Sequence, residues 1–177
     1  GVTDTTTRVF LESAYFNPVS VRKTSKRHGI KTDASFRYER GCDPDITVYA
    51  IKRAAELIQD LADANVISDI IDCYPKKIEP VQVTLSYDEV NRVAGKVIEK
   101  QVVSSILLSL GMEVQTTGED QLLVTVPLSK ADVTRPIDLI EEILRIYGYN
   151  NIEIPTTLHY RLAHDSSFDP QHQQQNV

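Results

Sequence analysis

Four carboxylates between positions 132 and 142, Asp132, Asp138, Glu141 and Glu142, are the sharpest chemical feature of this 177-residue sequence. On a helix Asp138 lies three and four residues before Glu141 and Glu142, so the three crowd one side of a turn. Asp132 sits just upstream, where the entering loop can swing it over the same spot. Two readings are open. Like charges packed this closely are unfavourable unless a cation joins them, and hard oxygen donors suit Mg²⁺. Alternatively, acids in the first helical turns complement the helix dipole and hold nothing. A Mg²⁺-dependent phosphoryl hydrolase would also need a nucleophile or a second metal, and the segment offers neither clearly.

A second candidate runs from Arg27 to Pro44. Charges of both signs alternate there with small residues and two aromatics, without helix or strand periodicity. Gly29 and Gly41 permit backbone angles that other residues avoid, and Pro44 suits the first turn of a following helix. A polar segment between regular elements is either a solvated connection or the place where a scaffold carries binding groups. Glu12 is the third candidate. It falls in an expected strand over 8–16, on the face of Phe10, Ala14 and Phe16. Either the carboxylate reaches water at an edge, or it points into a pocket and accepts a hydrogen bond from a ligand hydroxyl.

The elements that must position these groups follow from pattern. A helix is expected over 18–28, with Pro18 near its start and Gly29 ending it. Its Arg22, Lys23, Lys26 and Arg27 form a basic stripe, either a solvated face or a contact for RNA phosphates. A long helix over 44–65 and a strand over 66–74 come next. The proline-bracketed linker 75–80 marks a domain boundary. Beyond it the pattern predicts a strand over 81–85, a helix over 87–94 capped by Ser86, and an amphipathic helix over 100–110. A hairpin of strands 112–117 and 122–127 and a helix over 136–147 complete the unit. Strand, helix, helix, hairpin and helix outline a winged-helix-like module. The second helix shows mainly Lys100, Gln101, Ser104, Ser105 and Ser109 outward, too few cations for a DNA reader. A free-standing winged-helix nucleic-acid-binding module is therefore only the alternative reading.

Composition bounds the rest. The sequence is 41% hydrophobic and 25% charged, within the ordinary range of globular proteins. Its net charge of −6 makes the whole surface no magnet for phosphate backbones, so any nucleic-acid contact must be local. Cys42 and Cys73 lack Cys-x-x-Cys spacing, which points to reduced thiols in a cytoplasm. No apolar run approaches the roughly 18 residues of a membrane span, and no signal peptide is visible. Gly1 in place of an initiator methionine suggests an excised fragment. A short strand is expected from 156, and the glutamine-rich stretch 165–177 is expected to fray.

The string His28-Gly29-x-x-Thr32-Asp33-Ala34-Ser35-x-Arg37-Tyr38-Glu39-Arg40-Gly41-x-Asp43-Pro44 resembles the signature of the editing domain in bacterial phenylalanine–tRNA ligase β subunits. A second stretch is similar to the same family: Asp132, then Asp138-Leu139-Ile140-Glu141-Glu142, then Ile146-Tyr147-Gly148-Tyr149. It departs at Lys130-Ala131, where an Arg and an aromatic are common, and at 135–137, where extra acids are common; the latter implies a weaker metal site. The resemblance covers about residues 1–165. It implies an α+β chain: residues 1–76 as the C-terminal part of a mixed α/β tRNA-editing domain, 77–153 as a small winged-helix-like Mg²⁺-binding domain, and 154–177 as a linker onward.

The family is a class II aminoacyl-tRNA synthetase of two α and two β chains, which charges tRNA(Phe) with phenylalanine using ATP. The aminoacylation site lies in the α subunit. By the same resemblance, Glu12 reads the hydroxyl of a misattached tyrosine, and Thr32 and Ala34 line the pocket, Ala34 being small to leave room. Asp132, Asp138, Glu141 and Glu142 would be Mg²⁺ ligands at a contact shared with the α subunit. No catalytic acid or base is implied, because hydrolysis depends on positioning a water beside the tRNA terminus. The implied partners are the α subunit and tRNA(Phe), with no membrane or DNA, in the cytoplasm.

Overall fold

The computed structural model describes residues 2–153. The strand expected from 156 and the polar stretch 165–177 lie outside the described residues.

Helix α1 (Pro18–His28) starts because the Asn17 side chain accepts from the Ser20 amide at 3.0 Å and Pro18 already holds a helical φ. Gly29, at φ 65°, ends it in the left-handed region. Inside the signature, where no periodicity is visible, the chain forms a six-residue helix, α2 (Asp33–Tyr38). A capping box nucleates it: the Ser35 amide donates to Thr32 Oγ1 at 3.0 Å, and the Thr32 amide to Ser35 Oγ at 2.9 Å. The long helix α3 (Thr47–Ala62) is shorter at both ends than the expected 44–65. Asp63 closes it with a positive φ of 48°.

After residue 80 the expected order holds. Strand β1 (Val81–Ser86), helices α4 (Tyr87–Ala94) and α5 (Lys100–Ser109), strands β2 (Glu113–Thr116) and β3 (Gln121–Val126), and helix α6 (Pro136–Tyr147) follow in turn. The sheet order is β1-β3-β2, antiparallel throughout, with Val83 opposite Val124 and Leu85 opposite Leu122. Strand alternation turns Val83, Leu85, Leu122, Val124 and Val126 to one face, where the helices cover them. Val90 of α4, Val103 and Leu107 of α5, and Leu139, Ile140 and Ile143 of α6 are fully shielded there. Each such side chain contributes about 1.5–3 kcal/mol of burial. Ser86 ties the sheet to α4 by donating to Asp120 at 2.6 Å while accepting from the Glu89 amide at 3.4 Å.

The stretch before Val81 differs. There, among the described residues, only Ser25 and Pro44 are buried, and no large apolar side chain is. The strands expected over 8–16 and 66–74 are absent: both run as unpaired chain, with Phe10 94% and Ile71 93% exposed. Good β-formers are not sufficient for a strand, because its amides and carbonyls need a neighbour to pair with. None of the described residues supplies one. Leu11, Ser13, Ala14 and Tyr15 are half-buried, while Val9, Phe10, Glu12 and Phe16 are exposed, so the expected period of two is not kept.

Candidate functional site

The signature segment is a compact local scaffold. The Ser25 hydroxyl on α1 donates to the Ile30 carbonyl at 2.6 Å, Arg22 Nη2 donates to the Glu39 carbonyl at 3.2 Å, and the two helices pack together. Arg40 stacks its guanidinium 3.3 Å from the Phe36 ring centre, and Phe16 meets Tyr38 edge to face at 5.1 Å. The second contact pins the extended 8–16 stretch to α2. On this frame Thr32 is the cap of α2, its Oγ1 occupied by the Ser35 amide, and Ala34 lies in the first turn. Glu12, Thr32 and Ala34 are all exposed, and no hydrogen bond joins them among the described residues.

The segment ends against the second unit. Gly41 has φ 95°, and a Cβ built on it would stand 2.7 Å from the Ala131 Cβ. Two shallow cavities of about 260 and 180 Å³ open along this seam, walled by Pro127 and Leu128 with Asp43, Cys42 and Pro44 opposite. Glu12, Thr32 and Ala34 line neither.

Two of the four acids, Asp138 and Glu142, are held by cations of the same chain. At the entry to α6 the Asp138 carboxylate accepts from the Thr134 and Arg135 amides at 3.1 and 2.9 Å. Arg135 grips it again through Nη2 at 2.8 Å. That guanidinium, then the Thr134 amide, lowers the Asp138 carboxyl to about 2. Glu142 lies between Arg145 Nη2 at 2.7 Å and Lys130 Nζ at 2.8 Å. The Arg145 contact, supported by Lys130 and opposed by burial, holds it below the usual carboxylate range. Asp132 and Glu141 are exposed. Among the described residues no three acids, histidines or cysteines stand where they could share one ion. The donor atoms are chemically right for Mg²⁺, but in this placement they do not fit it: two of the four are turned to Lys and Arg.

Lys130, Arg135 and Arg145 are the residues that pattern reading missed. Arg135 and Arg145 were visible as cations three residues from Asp138 and Glu142, a spacing that pairs on helices. Lys130 and the Gly41–Ala131 contact bridge distant segments and left no local signal. Lys100, the lone cation of α5, donates to the Glu119 carbonyl and sits 5.0 Å from the Tyr87 ring centre.

Comparison with known proteins decides the family. Residues 1–63 match the model of the B3/4 domain, and residues 83–149 that of the tRNA synthetase B5 domain. The phenylalanine–tRNA ligase β subunit of Bacteroides thetaiotaomicron is 47% identical over all 177 residues, which cover 22% of that protein. It belongs to the phenylalanine–tRNA ligase β-subunit family. The same subunit of Porphyromonas gingivalis is 43% identical over 177 residues, again 22% of its length. That of Protochlamydia amoebophila is 42% identical over 151 residues, 85% of this chain and 19% of its own. The chain thus spans about a fifth of the length of these ligase subunits. The B3/4 match contains Glu12, Thr32 and Ala34, and the B5 match contains the four acids of the α6 entry. No described helix is long and apolar enough to cross a membrane.

Proposed function

We propose that this chain serves a cytoplasmic phenylalanine–tRNA ligase as a non-catalytic part of its β subunit. Residues 1–76 belong to the editing domain that removes tyrosine misattached to tRNA(Phe). Residues 77–153 form a winged-helix-like module that docks on the α subunit. The observation that carries this reading is the 47% identity along the whole chain to a β subunit of that enzyme. Physical need supports it: a pocket shaped for phenylalanine cannot strongly reject an isostere that only adds a hydroxyl, so a second, hydrolytic site is required. Glu12 would accept the tyrosine hydroxyl, and Thr32 and Ala34 would flank the ring. In the whole enzyme of two α and two β chains, ATP-dependent charging belongs to the α subunit. The occupied Lys100 on α5 speaks against a separate duplex-reading module.

The test uses the full β subunit assembled with its α partner and Tyr-tRNA(Phe). Glu12→Ala removes one hydrogen bond to a charged acceptor, worth about 1.5–3 kcal/mol, so tyrosine deacylation should fall on the order of tenfold to a hundredfold. Ala34→Trp should block it by filling the pocket. Unchanged deacylation in both variants overturns the pocket assignment.

Mg²⁺ at Asp132, Asp138, Glu141 and Glu142 is part of the proposal as a rearranged state, since Glu142 must first leave Lys130 and Arg145. Calorimetric Mg²⁺ titration of the assembled subunits, with and without Asp138→Ala, tests it. Equal heats would leave the internal cations as the whole account of these acids.

A further inference from the structure

Residues 18–40 hold seven Lys and Arg against two acids, Asp33 and Glu39, in a chain whose net charge is −6. Helix α1 itself carries no acid. Lys23, Lys26 and Arg27 fall at i, i+3 and i+4, hence on one face, and all three are exposed. The opposite face holds the buried Ser25, which donates to the Ile30 carbonyl. Five cations elsewhere, Arg53, Arg92, Lys130, Arg135 and Arg145, pair with carboxylates. Among the described residues none of Lys23, Lys26 and Arg27 does. The helix dipole accounts for basic residues in the last turn, which here are Lys26, Arg27 and His28. It does not account for Lys23, a turn upstream.

We infer that this face of α1 is a landing surface for the phosphodiester backbone of a single-stranded RNA 3′ end, with Lys23, Lys26 and Arg27 as its phosphate contacts. Three cations on one rigid face match a polyanion with one charge per nucleotide. The scaffold is fixed before the ligand arrives, because Arg22 and Ser25 bind α1 to the signature segment. The same α1–α2 unit carries Thr32 and Ala34, so the surface lies on the element that carries the proposed tyrosine pocket. Exposed Phe36, stacked under Arg40, adds an aromatic and a planar cation to the same unit, the kinds of group on which bases stack. The inference rests on the editing reading for its choice of RNA, and it adds where the strand runs.

The experiment again uses the assembled enzyme and Tyr-tRNA(Phe), with Lys23→Gln, Lys26→Gln and Arg27→Gln combined. Each lost phosphate contact should raise KM for deacylation about fivefold at about 0.1 M salt and reduce the slope of log affinity against log salt by about 0.7. The kcat for deacylation should not move. The charge-preserving set Lys23→Arg, Lys26→Arg and Arg27→Lys should restore KM and slope. Unchanged KM and unchanged slope in the glutamine variant overturn the inference. So does a loss of subunit assembly at unchanged RNA salt slope, which would make the face a protein contact. A changed slope beside an inert Glu12→Ala would retire the tyrosine pocket and leave the RNA surface standing.

Discussion

Gly41 offers the most direct test of how the two parts of the chain meet. Its φ of 95° lies where side chains are disfavoured, so any Cβ there costs about 1–2 kcal/mol of backbone strain. The same Cβ would stand 2.7 Å from the Ala131 Cβ, well inside contact distance. Neither atom is the far end of a flexible chain, so backbone must shift, and overpacking of this kind costs about 1–3 kcal/mol. Gly41→Ala should therefore destabilise by about 2–5 kcal/mol in total. The displaced loop carries Val133, which is buried in the core of the second unit. A substitution at residue 41 should thus lower the urea midpoint of the 81–153 core, followed by far-ultraviolet circular dichroism. Ala131→Gly separates the two costs, because it removes the collision and leaves the strained φ. In that background Gly41→Ala should cost only the backbone part, about 1–2 kcal/mol. An equal cost in both backgrounds would refute the seam contact.

Two further outcomes follow from the core and the α6 entry. Ile140 is fully shielded, so Ile140→Ala should cost about 2–5 kcal/mol in urea unfolding, whereas Ile146→Ala, 46% exposed, should stay near about 0.5 kcal/mol. The Asp138 carboxyl, lowered to about 2 by Arg135, contributes stability that is fully present above the unfolded carboxylate value of about 4. That contribution is lost as pH falls through the window from about 4 to about 2. Asp138→Asn should flatten the urea midpoint against pH over that window; an unchanged profile would place the acid sensitivity elsewhere.

How much of this was legible in the sequence depends on whether an element carries its own partners. From Val81 onward it does: Ser86 caps α4, Pro136 opens α6, and the alternation of Val83 and Leu85 finds Val124 and Leu122 within the same unit. Pattern and structure agree there to within about two residues. Before Val81 the same rules over-read. The β-formers of 8–16 and 66–74 signal strands, but pairing is not a local property and neither segment has a strand to pair with among the described residues. The opposite error occurs at α2, where Thr32 and Ser35 nucleate a helix too short to show periodicity. The site divides in the same way. Crowded acids were visible in sequence, but which cation each one meets was not, because Lys130 reaches Glu142 across twelve residues of loop and helix.

That pairing decides what the acids do in the absence of any metal, and Glu141 and Glu142 separate the possibilities. They are adjacent in sequence and would be equivalent if both served only as ligands. In the structure Glu142 has an 18% exposed side chain and satisfies Lys130, whose own side chain is 21% exposed, while Glu141 faces solvent. Glu142→Gln leaves a half-buried ammonium with a weaker acceptor, a loss of about 1–3 kcal/mol, whereas Glu141→Gln should stay within about 0.5 kcal/mol. Urea unfolding in EDTA reads both without a metal contribution. A purely ligand role makes both substitutions silent there, and equal, near-zero effects would show that the Lys130 and Arg145 contacts add nothing to stability. A cost confined to Glu142 would mean that this helix entry is neutralised from within. The cations at the α6 entry would then be spent internally, whereas Lys23, Lys26 and Arg27 on one face of α1 would stay available to draw an approaching polyanion.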